Sequence, residues 1–273
     1  MTVSRQFCFL IGFSILFIPA ASRCQSFSDY GNNLFVTKGV DLFTLEKMPA
    51  ALSGLASTMV GVMAEQPFLL GGLSSFHAAA AFPNTKGNLA LMLRHQGSEL
   101  HQYQKFLFGY ARKLGANTAM GIHFNLHRES FIGYGSRLQP GASLGCSFRL
   151  SASVQAAMAL HDPAFLLPEK KKTFWINSHY LFSLQYNVSE LFNIICHYQL
   201  PDGERACFLG LIEYKVHPIC SIRAGANIST GSLTLAAFLS KGQLRLLSSF
   251  SYHPVLGLTP AFGIASVGGG GNE

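Results

Sequence analysis

The sequence predicts an all-β protein: a closed antiparallel transmembrane β-barrel of about 12–14 strands, preceded by a short N-terminal helical or irregular segment. Bulky apolar residues alternate with small or polar ones from about Pro67 onward, and turn-forming residues separate the alternating segments. Only 12% of the 273 residues are Asp, Glu, Lys or Arg, against roughly 25% in ordinary soluble domains. So few charges would leave a water-facing surface poorly covered, whereas a membrane protein has no such requirement.

The alternation is clearest between Ala119 and Leu126. Here the bulky side chains fall on one face and the small or polar ones fall on the other, because successive side chains in a strand point to opposite sides. The same pattern recurs at 88–95, 105–112, 143–150, 179–186, 191–198 and 244–252. An open sheet edge in lipid would leave backbone groups unpaired at a cost of several kcal/mol each, so the predicted sheet must close.

Turns are expected where Gly, Asn, Asp or Pro interrupt the alternation, since several tight hairpin turns need a positive φ. The predicted turns are Asn84–Gly87, Gln96–Ser98, Lys113–Asn117, Gln139–Gly141, Pro201–Gly203, Gly231–Ser232 and Lys241–Gln243. Several apolar faces end in tyrosine, which favours the boundary between lipid and water. These tyrosines are Tyr110, Tyr180, Tyr186, Tyr198, Tyr214 and Tyr252.

The N-terminus has the three parts of a secretory signal peptide. Arg5 is followed by an apolar stretch from Phe7 to Pro19 and then by small residues, so cleavage is expected after Ser22 or Cys24. The predicted organisation is a signal peptide at 1–24, a plug or periplasmic segment at 25–66 with a helix near 48–57, a transmembrane β-barrel at 67–267 and a flexible Gly-rich tail at 268–273. The predicted location is the bacterial outer membrane.

Two other fold classes fit parts of the pattern. A soluble β-sandwich or barrel also alternates, but the polar faces here are rich in Gly, Ala and Ser and hold few charges. Multiple spanning helices would need long apolar blocks, and 66–85 and 224–240 contain Gly and Ser instead. The net charge of +7 comes from scattered basic residues and Lys170–Lys172, so nucleic-acid binding is not expected.

Cys196 and Cys207 lie on either side of the predicted turn Pro201–Gly203. Export would permit a disulfide between them if their strands pair with the two thiols opposite each other. The simpler interpretation is that they are two small apolar residues of a barrel wall, since cross-strand geometry rarely suits an S–S bond.

The polar faces carry nine charged or titratable residues that are predicted to project into the lumen. They are Arg94, Lys105, His123, Arg149, His179, His197, Glu213, Arg223 and Arg245. Burial would force them into partnerships, with Glu213 and an arginine as the natural pair. Their excess of positive charge favours an anionic guest or part of the chain's own N-terminus, while the alternative is that they only fill and brace the interior. No catalytic constellation, metal site or cofactor motif is present, so an enzyme is not expected.

Three short stretches resemble exported outer-membrane barrels of Bacteroidetes, in the style of FadL-type hydrophobic-compound transporters and of PorV-type proteins of type IX secretion. They are Met48–Leu52, which resembles the Asn-Pro-Ala-x-Leu element before the first strand, Gly109–Gly115 and Tyr252–Gly257. This chain has Met48 where that element has Asn, and it ends in Gly268–Glu273 rather than in a terminal aromatic residue.

The resemblance and the positive charge of the predicted lumen together suggest a barrel that transports or binds small hydrophobic or anionic molecules. Pro49, Ala50 and Leu52 would then belong to a plug inside the barrel or to a periplasmic cap in front of the first strand. The alternative is a non-enzymatic, PorV-like scaffold or partner in a secretion or outer-membrane complex. Outer-membrane lipid is an expected partner in both cases, and secretion-complex proteins are expected in the second.

Overall fold

The computed structural model describes residues 41–163, 178–202 and 205–268. The predicted signal peptide and the tail after Gly268 lie outside these ranges. The described residues form fourteen strands, with almost no helix. The strands are β1 (Met59–Glu65), β2 (Ser75–Phe82), β3 (Asn88–Gly97), β4 (His101–Lys113), β5 (Thr118–Phe131), β6 (Gly135–Arg149), β7 (Val154–His161), β8 (His179–Asn187), β9 (Phe192–Pro201), β10 (Cys207–His217), β11 (Cys220–Asn227), β12 (Ser232–Lys241), β13 (Leu244–His253) and β14 (Gly257–Val267).

The sheet is a closed antiparallel barrel in which each strand pairs with its neighbours in the sequence. The last strand closes on the first, with Val62 of β1 opposite Ile264 of β14 and opposite Ala78 of β2. This confirms the predicted fold class. Closure gives each of the fourteen described strands a partner on both sides, so none of them is an edge strand, although long strands extend beyond their neighbours at the rims. Among the described residues, no helix is long and apolar enough to cross a membrane.

The barrel begins earlier than the sequence pattern indicates. Strand β1 lies at Met59–Glu65, inside the predicted N-terminal segment, and the predicted start at Pro67 falls in a connection at 66–74. Gly61 and Ala64 weaken the alternation of β1, which explains why its short pattern is hard to detect. The predicted helix near 48–57 is a shorter 3₁₀ helix at Pro49–Gly54, and a second 3₁₀ turn lies at Leu42–Thr44.

The turn predicted at Gln139–Gly141 is not a turn, because these residues lie within β6. The chain reverses instead at 132–134, and Gly133 in this turn and Gly135 at the start of β6 have positive φ angles of 77° and 86°. Strand β6 pairs with β7 only from Ser143 to Arg149. Pro140 therefore occupies a stretch that has β5 as its only strand partner among the described residues, and such an edge position tolerates proline.

Cys196 and Cys207 are not bonded to each other. The register of β9 and β10 places Cys196 opposite Gly210 and Cys207 opposite Gln199. Cys196 has a free thiol, whereas Cys207 is disulfide-bonded. The near-symmetry of the two cysteines about the turn therefore does not bring their side chains together.

The wall has an apolar outer face and a small or polar inner face, as the alternation predicts. In β5, Met120, Phe124 and Leu126 are exposed on the outside, while His123 and Asn125 are buried inside. The outward side chains of the other strands follow the same rule, so the exterior is a continuous surface of Leu, Ile, Val, Phe and Tyr side chains. An exterior of this composition is suited to a hydrocarbon environment and not to water.

The two rims of the barrel differ. The terminal rim, where β1 begins and β14 ends, has short connections at 83–87, 114–117, 150–153, 188–191, 218–219 and 242–243. The loop rim is the opposite rim, and it includes the connection at 66–74 as well as Asp162 after β7 and Ser178 before β8. The outward tyrosines form a belt near each rim, as expected of residues at a lipid–water boundary. Tyr110, Tyr186 and Tyr214 lie near the terminal rim, and Tyr180, Tyr198 and Tyr252 lie near the loop rim.

Candidate functional site

The residues before β1 lie inside the barrel. We call 41–58 the inner segment. Its apolar side chains Leu42, Leu45, Met48 and Leu52 are each at most 1% exposed. Asn88, which projects inward from β3, donates from Nδ2 to the carbonyl oxygens of Leu52 at 2.8 Å and Leu55 at 3.1 Å. An inward side chain of the wall therefore provides hydrogen-bond partners for backbone carbonyl groups of the inner segment within the lumen.

Glycines in the wall allow the inner segment to approach closely. Gly121 of β5 and Gly145 of β6 lie opposite each other, and both face the 3₁₀ helix that begins at Pro49. A Cβ atom on Gly121 would overlap the Pro49 carbonyl group, and one on Gly145 would come within 2.9 Å of Pro49 Cδ. Backbone of the segment therefore rests directly on backbone of the wall, which only glycine permits.

The main charged contact between the segment and the wall is the Glu46 cluster, formed by Glu46, Lys105 and Arg94. Lys105 donates from Nζ to Glu46 Oε1 at 2.9 Å, and Arg94 NH1 lies 3.9 Å from the same oxygen. Burial by itself would raise the pKa of the Glu46 carboxyl, but the positive charges of Lys105 and Arg94 hold it well below its usual range. Glu46 is therefore a carboxylate that is stabilised by two wall cations.

A second cluster of polar side chains lies near the loop rim. It connects strands β4, β5 and β6 to Asp162, the residue that follows β7. Asn125 donates from Nδ2 to Asp162 Oδ1 at 3.1 Å and to Ser143 Oγ at 3.1 Å. His127 lies between Tyr103, whose hydroxyl is 2.7 Å from Nδ1, and Asp162, whose Oδ2 is 3.5 Å from Nε2. Burial alone would raise the pKa of Asp162, but the hydrogen bond from His127 and the nearby Lys105 lower it.

Asp162 has an unusual backbone for a residue other than glycine, with a φ of +43°. Its N–H donates to the Ala142 carbonyl at 2.9 Å, and its own carbonyl accepts from Ser178 Oγ at 2.8 Å. Aspartate tolerates the left-handed region better than most residues. The conformation directs the carboxylate inward, where Asn125 and His127 bind it.

The opposite side of the lumen contains the Arg223 cluster, formed by Arg223, Glu213, Phe238 and Asp41. Arg223 of β11 donates from NH2 to Glu213 Oε2 of β10 at 3.1 Å, and its guanidinium carbon lies 4.5 Å from the centre of the Phe238 ring. This confirms the predicted partnership of Glu213 with an arginine. Burial raises the pKa of Asp41, and the positive charge of Arg223 opposes that rise.

We expect replacement of Glu213 by methionine to destabilise the barrel by about 3–5 kcal/mol, because it removes the carboxylate that is hydrogen-bonded to the buried Arg223 guanidinium. The double variant Glu213→Met/Arg223→Met should recover most of that loss, since it removes both charges. The measurement is the temperature at which the folded band of each variant disappears on a heat-modifiable gel. A double variant that is less stable than Glu213→Met would contradict the expectation.

The nine predicted lumen residues all lie on inward positions, but their environments differ. Lys105, His123, His197, Glu213 and Arg223 are buried, whereas Arg94, His179 and Arg245 are partly buried and Arg149 is exposed where β6 ends at the terminal rim. Arg94 and Lys105 meet at Glu46, and Glu213 and Arg223 meet each other. His179 stacks on His161 with ring centres 4.4 Å apart, and His197 Nδ1 lies 2.8 Å from Ser183 Oγ. Whether any of them touches a ligand remains a prediction.

Sequence reasoning missed Glu46 and Asp162, the two carboxylates that organise the inner wall of β3–β7. Neither lies in an alternating segment, and neither has a basic partner at a recognisable spacing in the sequence. Only the fold brings Lys105 to Glu46 and His127 to Asp162. Among the described residues, no group of three or more His, Cys, Asp or Glu side chains could hold a metal ion.

Comparison with known proteins gives a clear result for the fold alone. No protein-family description and no curated protein matches the sequence. The CymD monoaromatic hydrocarbon channel superposes with a TM-score of 0.62 at 9% identity, covering 84% of this chain and 93% of CymD. The chain has the fold of outer-membrane hydrocarbon channels.

Two further solved structures support this result. The toluene transporter TodX of Pseudomonas putida gives a TM-score of 0.58 at 10% identity, covering 82% of this chain and 91% of TodX. A Pseudomonas aeruginosa FadL homologue gives 0.59 at 10% identity, covering 83% and 94%. The predicted resemblance to FadL-type transporters is thus confirmed at the level of the fold.

Proposed function

We propose that this chain is a non-enzymatic outer-membrane barrel that transports or binds small hydrophobic or anionic molecules, with the inner segment as its plug. The observation that carries the proposal is the seating of the inner segment on glycine and charged residues of the inner wall. Such a seat combines a close fit with ion pairs that can be exchanged for water, as a removable plug requires. The hydrocarbon-channel and transporter roles stated for CymD and TodX support the choice of a small hydrophobic substrate.

The lining of the lumen favours an apolar molecule near the terminal rim and an anion closer to the loop rim. Toward the terminal rim, the inner segment packs against Ala81, Ala90, Leu107 and Ala111, which are all buried apolar residues. The basic residues Arg94 and Lys105 lie closer to the loop rim. A molecule that displaced Glu46 from this pair would need a negative charge or a strong acceptor to satisfy the two cations.

Transport is tested with purified protein in a planar lipid bilayer and in liposomes. We expect small conductance steps from the intact chain. We also expect faster uptake of a monoaromatic hydrocarbon such as toluene by liposomes that contain the protein and carry a lipopolysaccharide outer leaflet, which slows unassisted entry. A variant lacking residues 41–58 should conduct more strongly if the segment is the plug. Equal conductance of the two proteins would contradict the plug, and equal toluene uptake by protein-free liposomes would contradict transport.

The outer-membrane location and the export signal are tested by fractionation. We expect the chain in the outer-membrane fraction, with a heat-modifiable band on a gel and an N-terminus that begins at Arg23 or Gln25. The terminal rim has short connections, as the periplasmic side of outer-membrane barrels does. This supports an orientation in which the terminal rim faces the periplasm. A soluble protein with no mobility shift would contradict the location.

A second candidate function, the PorV-like scaffold in a secretion or outer-membrane complex, is favoured by one observation. Apolar side chains are exposed on the connections of the loop rim, including Leu69 and Leu70 at 55%, Tyr134 at 92% and Val255 at 84%. Exposed apolar surface of this kind often marks a contact with another protein. Steady toluene transport by the isolated barrel would favour the first function, and its absence from a correctly folded barrel would favour the scaffold.

A further inference from the structure

The outer wall has a depression between β6 and β10, which we call the wall groove. Its volume is about 410 Å³, within the range of small-ligand sites. Ala156 of β7 and Cys196 of β9 form its floor, because both side chains point outward and are short. Larger outward side chains surround them: Phe148, Met158, Phe182, Leu184, Tyr198 and Phe208.

The register explains why the groove forms here. One row of outward side chains crosses the strands as Phe148, Ala156, Leu184, Cys196 and Gly210. Ala156, Cys196 and Gly210 are much smaller than the residues of the adjacent row, which includes Met158, Phe182, Tyr198 and Phe208. The large side chains of the adjacent row therefore project farther from the wall than the small side chains of the first row. A depression remains because these side chains project from a paired sheet and cannot move inward to fill it.

The depth of the groove within the wall identifies what surrounds it. On β8, the groove residues Phe182 and Leu184 lie between Tyr180, in the belt of the loop rim, and Tyr186, in the belt of the terminal rim. The groove therefore lies within the apolar band and reaches the loop-rim belt at Tyr198, so hydrocarbon chains of the bilayer border most of its lining. Its lining is almost entirely apolar.

We infer that the wall groove is a seat for one acyl chain of a membrane lipid. An unfilled depression in a hydrocarbon layer would forfeit the van der Waals contacts of its lining. Helices and barrels in lipid are held to their neighbours by such packing, since lipid tails are as apolar as the protein surface. A flexible chain fits a groove that has aromatic walls on two sides, and the seat is continuous with the lipid-facing surface. The inference depends on the membrane location and not on the transport role.

The test uses the full-length protein in lipid nanodiscs that contain a phosphatidylcholine with a nitroxide at the middle of one acyl chain. A bound chain gives a motionally restricted component in the electron paramagnetic resonance spectrum. Lipids in contact with the rest of the wall also contribute to this component. We therefore expect Ala156→Trp, which fills the floor of the groove, to lower the restricted component by the equivalent of a single lipid per barrel. The matched control is Ala78→Trp, an exposed outward alanine of β2 away from the groove, which should leave that component unchanged.

Folding of each variant is checked by its heat-modifiable gel band, and Cys196→Leu provides a second, smaller filling of the floor. An equal restricted component in the wild-type protein, Ala156→Trp and Cys196→Leu would overturn the inference. An equal decrease in Ala78→Trp would also overturn it, because the lost lipid would then not be specific to the groove. Displacement of the labelled lipid by dilute toluene would assign the groove to a transported compound instead. If the lipid measurement gives the expected result but the barrel does not transport toluene, only the proposed transport function is contradicted and the acyl-chain seat stands.

Discussion

Replacing Gly121 by leucine is expected to expel the inner segment from its seat and to raise the conductance of the barrel. Any side chain at this position begins with a Cβ atom that overlaps the Pro49 carbonyl group and approaches the Ala50 nitrogen. Because both atoms belong to the backbone, no rotation of a side chain can relieve the overlap. Gly121 itself is fixed in β5 by its pairing with Ala111 and Gly145.

Overpacking of a well-packed interior costs about 1–3 kcal/mol. A cost of that size would shift the ratio of seated to unseated inner segment by up to roughly a hundredfold. We therefore expect Gly121→Leu to give larger or longer conductance steps in a planar bilayer, at unchanged thermal stability of the barrel itself.

The matched control for this prediction is Gly210→Leu. Gly210 also lies within a wall strand, but it points outward and a Cβ atom there would meet nothing within 4 Å. This variant should conduct like the wild-type protein. Wild-type conductance of Gly121→Leu would show that the seat of Pro49 does not control the path through the barrel.

Replacing Glu46 by glutamine is expected to loosen the inner segment by about 3–5 kcal/mol, the usual effect of removing one partner from a buried ion pair. Lys105 and Arg94 would remain close together, without the carboxylate that now neutralises them. The peptide bond after Lys47, the next residue, then serves as a reporter, since trypsin should cleave there only when the segment has left the lumen. When the rate of cleavage is proportional to the fraction of barrels with an unseated segment, cleavage after Lys47 should be roughly a hundredfold or more faster in Glu46→Gln than in the wild-type protein.

The control variant is Glu99→Gln, which changes an exposed carboxylate in a connection of the loop rim. Its rate of cleavage after Lys47 should match that of the wild-type protein. Equal rates for Glu46→Gln and Glu99→Gln would mean that the Glu46 cluster does not hold the segment.

The same ion pair predicts a dependence on pH. The pKa of Glu46 is lower in the folded protein than in the free side chain, whose value is about 4.3. Its contribution to seating is therefore fully present above the unfolded value and declines as the pH falls toward the lower folded value. Cleavage by an acid-active protease within the segment should rise below about pH 4 in the wild-type protein. The rise should be smaller in Glu46→Gln, in which Asp41 is the remaining buried carboxyl of the inner segment that titrates.

The alternation of residues in the sequence was sufficient to determine the fold class and the two faces of the wall. At Ala119–Leu126, a period of two places His123 and Asn125 inward whatever the rest of the chain does, because the direction of a side chain in a strand is a local property. The tyrosines predicted for the ends of the apolar faces do lie near the two rims. The period of two is hard to recognise at β1, where Gly61 and Ala64 give little contrast, and the loss of the β7 partner beside Pro140 could not be foreseen from it.

The candidate site depended on tertiary structure. The alternation in β4 predicts that Lys105 points inward. Its partner Glu46 could not be predicted in the same way, because Glu46 belongs to the inner segment, which has no regular alternation and folds back into the barrel. Contacts of this kind join residues far apart in the chain, and local patterns carry no information about them. The pairing of Glu213 with Arg223 could be anticipated in kind because a buried carboxylate needs a cation. Which arginine it meets was decided by the register of β10 and β11, since a shift of one residue would have turned one of the two side chains out of the lumen.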